Sequence, residues 1–118
     1  IFTTQTLNQN SNFLLIKRGM FSVVNKPFGT AYSSKINKPI FAGKTGTVQV
    51  RTISENEREL GIIPNKDLPL EKRDHAIFVG FAPYKNPKIA AAVVIEHGGS
   101  GSRVAAPIAQ KIFKKALL

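Results

Sequence analysis

Apolar and polar positions follow two different periods along this chain. Phe13, Ile16, Met20 and Val24 recur at helical spacing, which predicts an amphipathic helix over 12–24. Asn10 or Ser11 is placed to cap its first turn, and Gly19 weakens it by about 1 kcal/mol relative to alanine. Turn formers then dominate NKPFGTAYSSKINKP and predict a loop. Runs rich in valine, isoleucine and phenylalanine predict strands over 40–51, 76–82 and 88–96. Tyr84-Lys85-Asn86-Pro87 joins the last two as a short turn, so they are expected to pair antiparallel. Residues 52–73 hold most of the acidic groups and two prolines without alternation, and are expected to form a mobile or functional loop. After HGGSGS, a last helix is predicted over 103–117. Its stripe is Val104, Ile108 and Ile112, with Ala105, Ala109 and Phe113 beside it. This order predicts an α+β fold: a three-strand antiparallel sheet with N- and C-terminal helices.

Composition changes this picture little. A length of 118 residues suits one domain, 1–118, and 42% hydrophobic with 20% charged residues is a globular balance. No apolar run approaches the roughly 20 residues of a membrane helix. The chain opens IFTTQT, without an initiator methionine, a basic n-region or a signal-like core. It is therefore expected to be a piece of a longer polypeptide, with any anchor upstream.

Charge matters more. Seventeen Lys and Arg stand against seven Asp and Glu, a formal net charge of +10, which favours anionic partners. The cations are scattered in pairs such as Lys17-Arg18, Lys72-Arg73 and Lys114-Lys115, as on a solvated basic surface. Phe78 and Phe81 sit in an apolar strand rather than among the cations, so nucleic acid is not an expected partner. A basic, non-enzymatic domain for nucleic acid or an anionic envelope polymer stays the alternative from a different class. Zero cysteines excludes disulfides and thiolate metal sites. His75 and His97 lie far apart in sequence, and GGSG lacks the spacing and lysine of a P-loop, so neither a metal nor a cofactor is expected.

FAGKTGTVQV is the one strand with unusual chemistry at its centre. The Lys44 ammonium and the Thr45 and Thr47 hydroxyls can bind a carboxylate, and a strand-edge N–H can donate to a developing oxyanion. Such an edge can also pair with an extended peptide, where Gly46 permits close approach. Taken alone, the tetrapeptide is explained equally well as a surface strand with an incidental lysine. Alternation puts Lys44 and Gly46 on one face and Thr45 and Thr47 on the other. One site can use all four only along the strand edge, or if the glycine twists the strand.

GKTGTVQV, RDHAIFVGFAPYKNPKIAAAVVIEHGG, the amphipathic last helix and the upstream GMFSVVNKPFGTA together resemble the C-terminal end of penicillin-binding transpeptidases. The likeness is to the class B enzymes of cell elongation, and it runs from Gly19 to Leu118. It implies a fragment of the penicillin-binding and serine β-lactamase-like fold. That family carries S-x-x-K, S-x-N and K-T-G motifs, and only the third is here. The resemblance implies that Lys44 supports proton transfer, that Thr45 and Thr47 hold a terminal carboxylate, and that the Thr47 N–H is half of an oxyanion hole. It implies as ligands stem peptides ending in D-Ala-D-Ala and β-lactams. It implies as partners a membrane glycosyltransferase and shape-determining proteins, at the periplasmic face of the bacterial inner membrane.

No serine is followed three positions later by lysine, so this chain holds no nucleophile and is expected to be inactive by itself. Ser54-Glu55-Asn56 matches S-x-N in letters but follows the lysine motif, whereas the family places it before. Val48 stands where the family usually has alanine, and His97 where it often has asparagine. A β-lactamase or carboxypeptidase shares the K-T-G strand, and RDHAIFVGFAPYKNP argues against both. The family sheet has five strands, so a three-stranded piece is expected to self-associate through a sheet edge or an uncovered face.

Overall fold

The computed structural model describes residues 11–118. In chain order its main elements are α1 (Ser11–Asn25), β1 (Ala42–Val48), α2 (Glu55–Leu60), β2 (His75–Ala82), β3 (Ile89–Ile95) and α3 (Ala106–Leu117). Single 3₁₀ turns lie at Tyr32–Ser34, Asn65–Asp67 and Leu70–Lys72, and a π-turn at Gly101–Ala105 leads into α3. The strands form one antiparallel sheet in the order β1-β2-β3. Asn10, one of the two expected caps of α1, lies outside the described residues.

The core sits on one face of this sheet. Ala76, Phe78, Gly80 and Ala82 alternate along β2 as its buried positions. Phe78 lies edge-on to Phe41, with ring centroids 6.1 Å apart, and Phe41 meets Phe113 of α3 at 5.3 Å. Gly43 and Gly80 face each other across β1 and β2. A Cβ on Gly43 would run into the Phe78 ring, and one on Gly80 would come within 2.8 Å of it. Two bare positions thus make room for one large ring.

Several elements depart from the sequence pattern. The buried face of α3 and the turn before it carries Ala105, Ala106, Ala109 and Phe113, while Ile112 is exposed and Val104 and Ile108 are only partly covered. Alanines let the helix approach the sheet closely, and that rotates the larger aliphatic stripe to the margin of the contact. In α1 only Val24 is buried; Ile16 is 62% exposed. The helix is tied to the sheet at its C-terminal turn, where the Asn25 side-chain amide donates to the Phe41 and Phe21 carbonyls at 2.9 and 3.0 Å.

β1 ends at Val48 rather than near 51. Beyond it the Val50 N–H is directed at the Asp74 carboxylate (3.3 Å), and Arg51 pairs with Glu57. The long connection is not irregular throughout. Ser54 caps α2 by accepting from the Glu57 N–H at 3.3 Å, while the Ser54 N–H donates back to the Glu57 carboxylate at 3.4 Å. This reciprocal capping box is a local device for starting a helix. It gives Ser54 a structural task.

Candidate functional site

β1 has β2 as its one strand neighbour among the described residues, so its other edge is open. Such an edge presents unpaired backbone N–H and C=O groups. Along it Lys44 and Thr47 are exposed, and Thr45 and Gly46 partly covered. The register sets Lys44 opposite Val79, Thr45 opposite Phe78, Gly46 opposite Ile77 and Thr47 opposite Ala76. Lys44 and Gly46 therefore share the outer face, and Thr45 and Thr47 the face of the core. The lysine side chain bends back, however, and its Nζ donates to the Thr45 carbonyl at 2.6 Å. A backbone carbonyl of a strand lies along an edge rather than on a face, so this bond brings the ammonium to the edge.

Thr45 has a partner that sequence reading did not identify. Its Oγ1 lies 2.9 Å from the Oγ1 of Thr30, in the loop after α1. That loop is anchored by the Ala31 N–H, which donates to the Val23 carbonyl at 2.9 Å. The only signal was the GTA of the upstream segment, which carried a likeness but no role. Gly46 presents a second surprise. A Cβ there would meet the Ile77 Cβ at 3.4 Å, an ordinary contact. The close backbone approach at this point comes from Gly101, where a Cβ would strike the backbone oxygens of Gly46 and Ile77. The bare residue that this contact requires is thus Gly101, at the start of the π-turn.

Past Thr47 the strand opens into a cavity of about 370 Å³, bounded by the extension of β1 and by the connection that returns to β2. Asp74 organises this corner. Its carboxylate accepts from the Asn65 amide at 2.9 Å, its N–H donates to the Asn65 side-chain oxygen at 2.8 Å, and its carbonyl accepts from the Gly99 N–H at 2.8 Å. Arg51 reaches across to Glu57 with both terminal nitrogens, at 2.7 and 2.8 Å. The two hydrogen bonds from Arg51, aided by the Ser54 N–H, lower the Glu57 carboxyl to about 2, and they raise Arg51 in turn.

His75 and His97, distant in sequence, are brought together by the β2–β3 hairpin with ring centroids 4.8 Å apart. The His97 N–H donates to His75 Nδ1 at 2.9 Å, and His97 Nδ1 lies 3.0 Å from the Arg73 carbonyl. A carbonyl can only accept, so His97 Nδ1 carries a proton. These bonds fasten a turn in which His97 adopts a φ of 55°. Among the described residues no group of three or more His, Asp or Glu is placed to hold a metal ion, and no helix is long and apolar enough to cross a membrane.

Comparison with known proteins agrees with this architecture. The family model for the penicillin binding protein transpeptidase domain matches residues 5–114. A peptidoglycan D,D-transpeptidase MrdA of Salmonella typhimurium (strain SL1344) is 41% identical over 99 residues, 83% of this chain and 15% of the relative. The protein of the same name from Haemophilus influenzae is 42% identical over 97 residues, 81% of this chain and 14% of the relative. Among solved structures, the complex between penicillin-binding protein 2 and MreC of Helicobacter pylori superposes with a TM-score of 0.71. It shows 33% identity over 88% of this chain and 17% of that one. Penicillin-binding protein 2 of Pseudomonas aeruginosa, solved with WCK 5153, gives a TM-score of 0.68 and 36% identity over 100% of this chain and 21% of that one. The three-strand sheet and its helices are thus a fragment of that domain fold, and the chain spans only about 15% of the curated relatives it matches.

Proposed function

The chain belongs to the penicillin-binding protein transpeptidase family, and on that premise we propose that it supplies the substrate-capturing wall of a serine-type peptidoglycan D,D-transpeptidase. In this reading the open edge of β1 receives a stem peptide ending in D-Ala-D-Ala, or a β-lactam in its place. The Thr45 and Thr47 hydroxyls hold the terminal carboxylate in the field of the Lys44 ammonium, since hydrogen bonds to an ionised acceptor are the strong ones. The Thr47 N–H donates to the oxyanion that forms as the penultimate carbonyl is attacked.

The attacking serine belongs to an S-x-x-K motif that these 118 residues do not contain, so it is assigned to an upstream segment. Its Oγ forms an ester with the penultimate residue, and the terminal D-Ala leaves as a protonated amine. The amine of a second stem peptide then attacks the ester and returns the proton to the serine. Lys44 supports these proton movements through its charge.

The observation that supports this reading most directly is the 2.6 Å bond from Lys44 Nζ to the Thr45 carbonyl. It brings the Lys44 ammonium back to the backbone of Thr45 despite their alternation, which supports a shared role for the two. In the complete protein, Lys44→Ala should lower acylation by a labelled penicillin by ~10²–10³-fold while the fold persists, the usual effect of removing one charge-stabilising group. Near-normal labelling of that variant would take Lys44 out of the mechanism. The 118-residue chain by itself should take up no label, and a labelled residue within it, found by mass spectrometry, would overturn the upstream assignment of the nucleophile.

The same reading sets the protein at the periplasmic face of the inner membrane, anchored by a helix outside this chain. Its partners there are a membrane glycosyltransferase and a shape-determining protein; the Helicobacter pylori relative was solved in complex with MreC.

A further inference from the structure

The turn from β3 toward α3 has no part in the acyl transfer described above, yet it bears on the strand that carries it. We propose that His75 is a positioning residue for that strand, holding this turn against Gly46 only while its Nδ1 is free of a proton, so that peptide capture weakens in acid. The inference rests on the reading of β1 as the peptide-capturing strand.

Three hydrogen bonds tie the turn to three consecutive residues where β2 begins. The His97 N–H donates to His75 Nδ1 at 2.9 Å, His97 Nδ1 donates to the Arg73 carbonyl at 3.0 Å, and the Gly99 N–H donates to the Asp74 carbonyl at 2.8 Å. They hold His97 at a φ of 55°, a left-handed conformation that a residue with a side chain seldom adopts unaided. Two residues past Gly99, Gly101 rests on the backbone of both strands, where a Cβ would strike the Gly46 and Ile77 oxygens. Gly46 stands between Thr45 and Thr47, and His75 faces Val48, the next residue of β1, across the sheet. Close-packed contacts of this kind transmit a shift rather than absorb it. The position of the turn therefore sets the support behind the Thr45–Thr47 edge.

A proton acts differently on the three ties. Two end on backbone carbonyls, which do not titrate near neutral pH. His97 keeps its Nδ1–H in either charge state, so its bond to Arg73 survives protonation. His75 does not have that freedom. Accepting from an N–H requires a bare Nδ1, which is the neutral ring with its proton on Nε2. The imidazolium carries a proton on both nitrogens, and donor would then face donor. Among the described residues neither imidazole has a carboxylate within ion-pairing reach, so a charged His75 gains no partner there in exchange.

The charged groups around the pair are Arg73 and Asp74 before β2, Glu96 in the turn, and Lys66 and Arg103, which line a hollow of about 260 Å³ together with Arg73 and His97. β1 meets His75 with Val48, and Arg51 beyond it is paired with Glu57. Two charged rings with centroids 4.8 Å apart would also repel each other. The open turn thus binds more protons than the closed one, so the tie is complete at higher pH and is lost as pH falls. Histidine is the side chain that changes charge between about pH 5 and pH 8.

The test follows acylation of the complete protein by a labelled penicillin from about pH 8 to about pH 5. His75→Asn puts an amide oxygen, which does not titrate, near the place of Nδ1. Its rate should match the unaltered protein within about threefold at the alkaline end and exceed it by about 5- to 10-fold at the acid end, the worth of one hydrogen bond. His75→Leu has no acceptor and should be slower than His75→Asn by a similar factor throughout. Groups that titrate in the acyl transfer itself are common to all three proteins and cancel in these ratios.

Parallel pH profiles for the unaltered protein and His75→Asn would overturn the proton dependence and leave the proposed activity standing. Equal rates for the asparagine and leucine variants would overturn the positioning role. Nitrogen NMR of the histidine rings reads the tie without any substitution, should the leucine variant fail to fold. The neutral His75 ring should carry its proton on Nε2, and a proton on Nδ1 would sink the proposal. No acylation of the unaltered protein at any pH would instead remove the transpeptidase reading, and this role with it.

Discussion

The two faces of the sheet are made of the same residue types and meet opposite surroundings. On the inner face Ala76, Phe78 and Val93 are buried in the core that α3 completes. On the outer face Val79 is 41% and Val94 58% exposed, with Ala90 and Ala92 exposed beside them. Neither face is polar, and strands apolar on both sides belong to sheets covered on both sides. Strand composition thus reports how many layers a sheet is built for, whereas burial reports how many are present. A chain matching about 15% of its relatives' length leaves ample sequence outside it for a second cover. α1 repeats the contrast within one helix, buried at Val24 and exposed at Ile16.

The sharpest way to break this comparison is to cut one side chain from each face. Phe78→Ala removes the ring seated over Gly43 and Gly80 and its contact with Phe41, and should cost about 3–5 kcal/mol in denaturant unfolding of the 118-residue chain. Val94→Ala should cost less than about 1 kcal/mol, because more than half of that side chain is already in water. Similar losses from both would mean that the outer face is covered in solution.

Association probes the same face with a smaller free-energy change. An apolar outer surface and open strand edges should make the chain heavier than its 12.9 kDa monomer in sedimentation at concentrations on the order of tens of micromolar. Val79→Lys combined with Val94→Lys should return it to monomer if the outer face is the contact. Monomeric behaviour of the unaltered chain, with cooperative unfolding, would show the sheet to be better covered than its exposure indicates.

The smallest effect is expected at the surface clasp of the long connection. Glu57 lies near 2 in the folded chain against an ordinary 4.5, chiefly through its hydrogen bonds from Arg51. A depressed carboxyl stabilises fully above its unfolded value and loses that contribution as pH falls through the folded one. The clasp should therefore hold above about pH 4.5 and weaken progressively toward about pH 2. Direct titration of the Glu57 carboxyl by NMR, with Glu57→Gln as the control, checks this; a midpoint near 4.5 would mean that the pair with Arg51 is not formed in solution.

Some of this was legible along the chain and some was not. The β2–β3 hairpin could be read because two short apolar runs on either side of Tyr84-Lys85-Asn86-Pro87 leave little choice of pairing. α2 was legible in principle, since Ser54 and Glu57 have capping-box spacing, but its six polar-rich residues carry no apolar stripe to mark a helix. In the last helix the buried centre is shifted from the expected Val104, Ile108 and Ile112 stripe to the Ala105, Ala109 and Phe113 expected beside it, because close packing on a sheet favours small residues.

By itself the sequence determined the three strands and the two long helices, their antiparallel pairing and the placement of Lys44, Thr45, Gly46 and Thr47 on one strand, because these depend on neighbours a few residues apart. Only the tertiary structure decided that Thr30 meets Thr45, that Gly101 rests on the Gly46 backbone, that the two histidines touch and that Asp74 lies beside a cavity starting at Thr47. Each joins residues 15 or more positions apart, and no local period carries such a pairing. It arises when the sheet register and the packing of α3 bring the distant segments to one place.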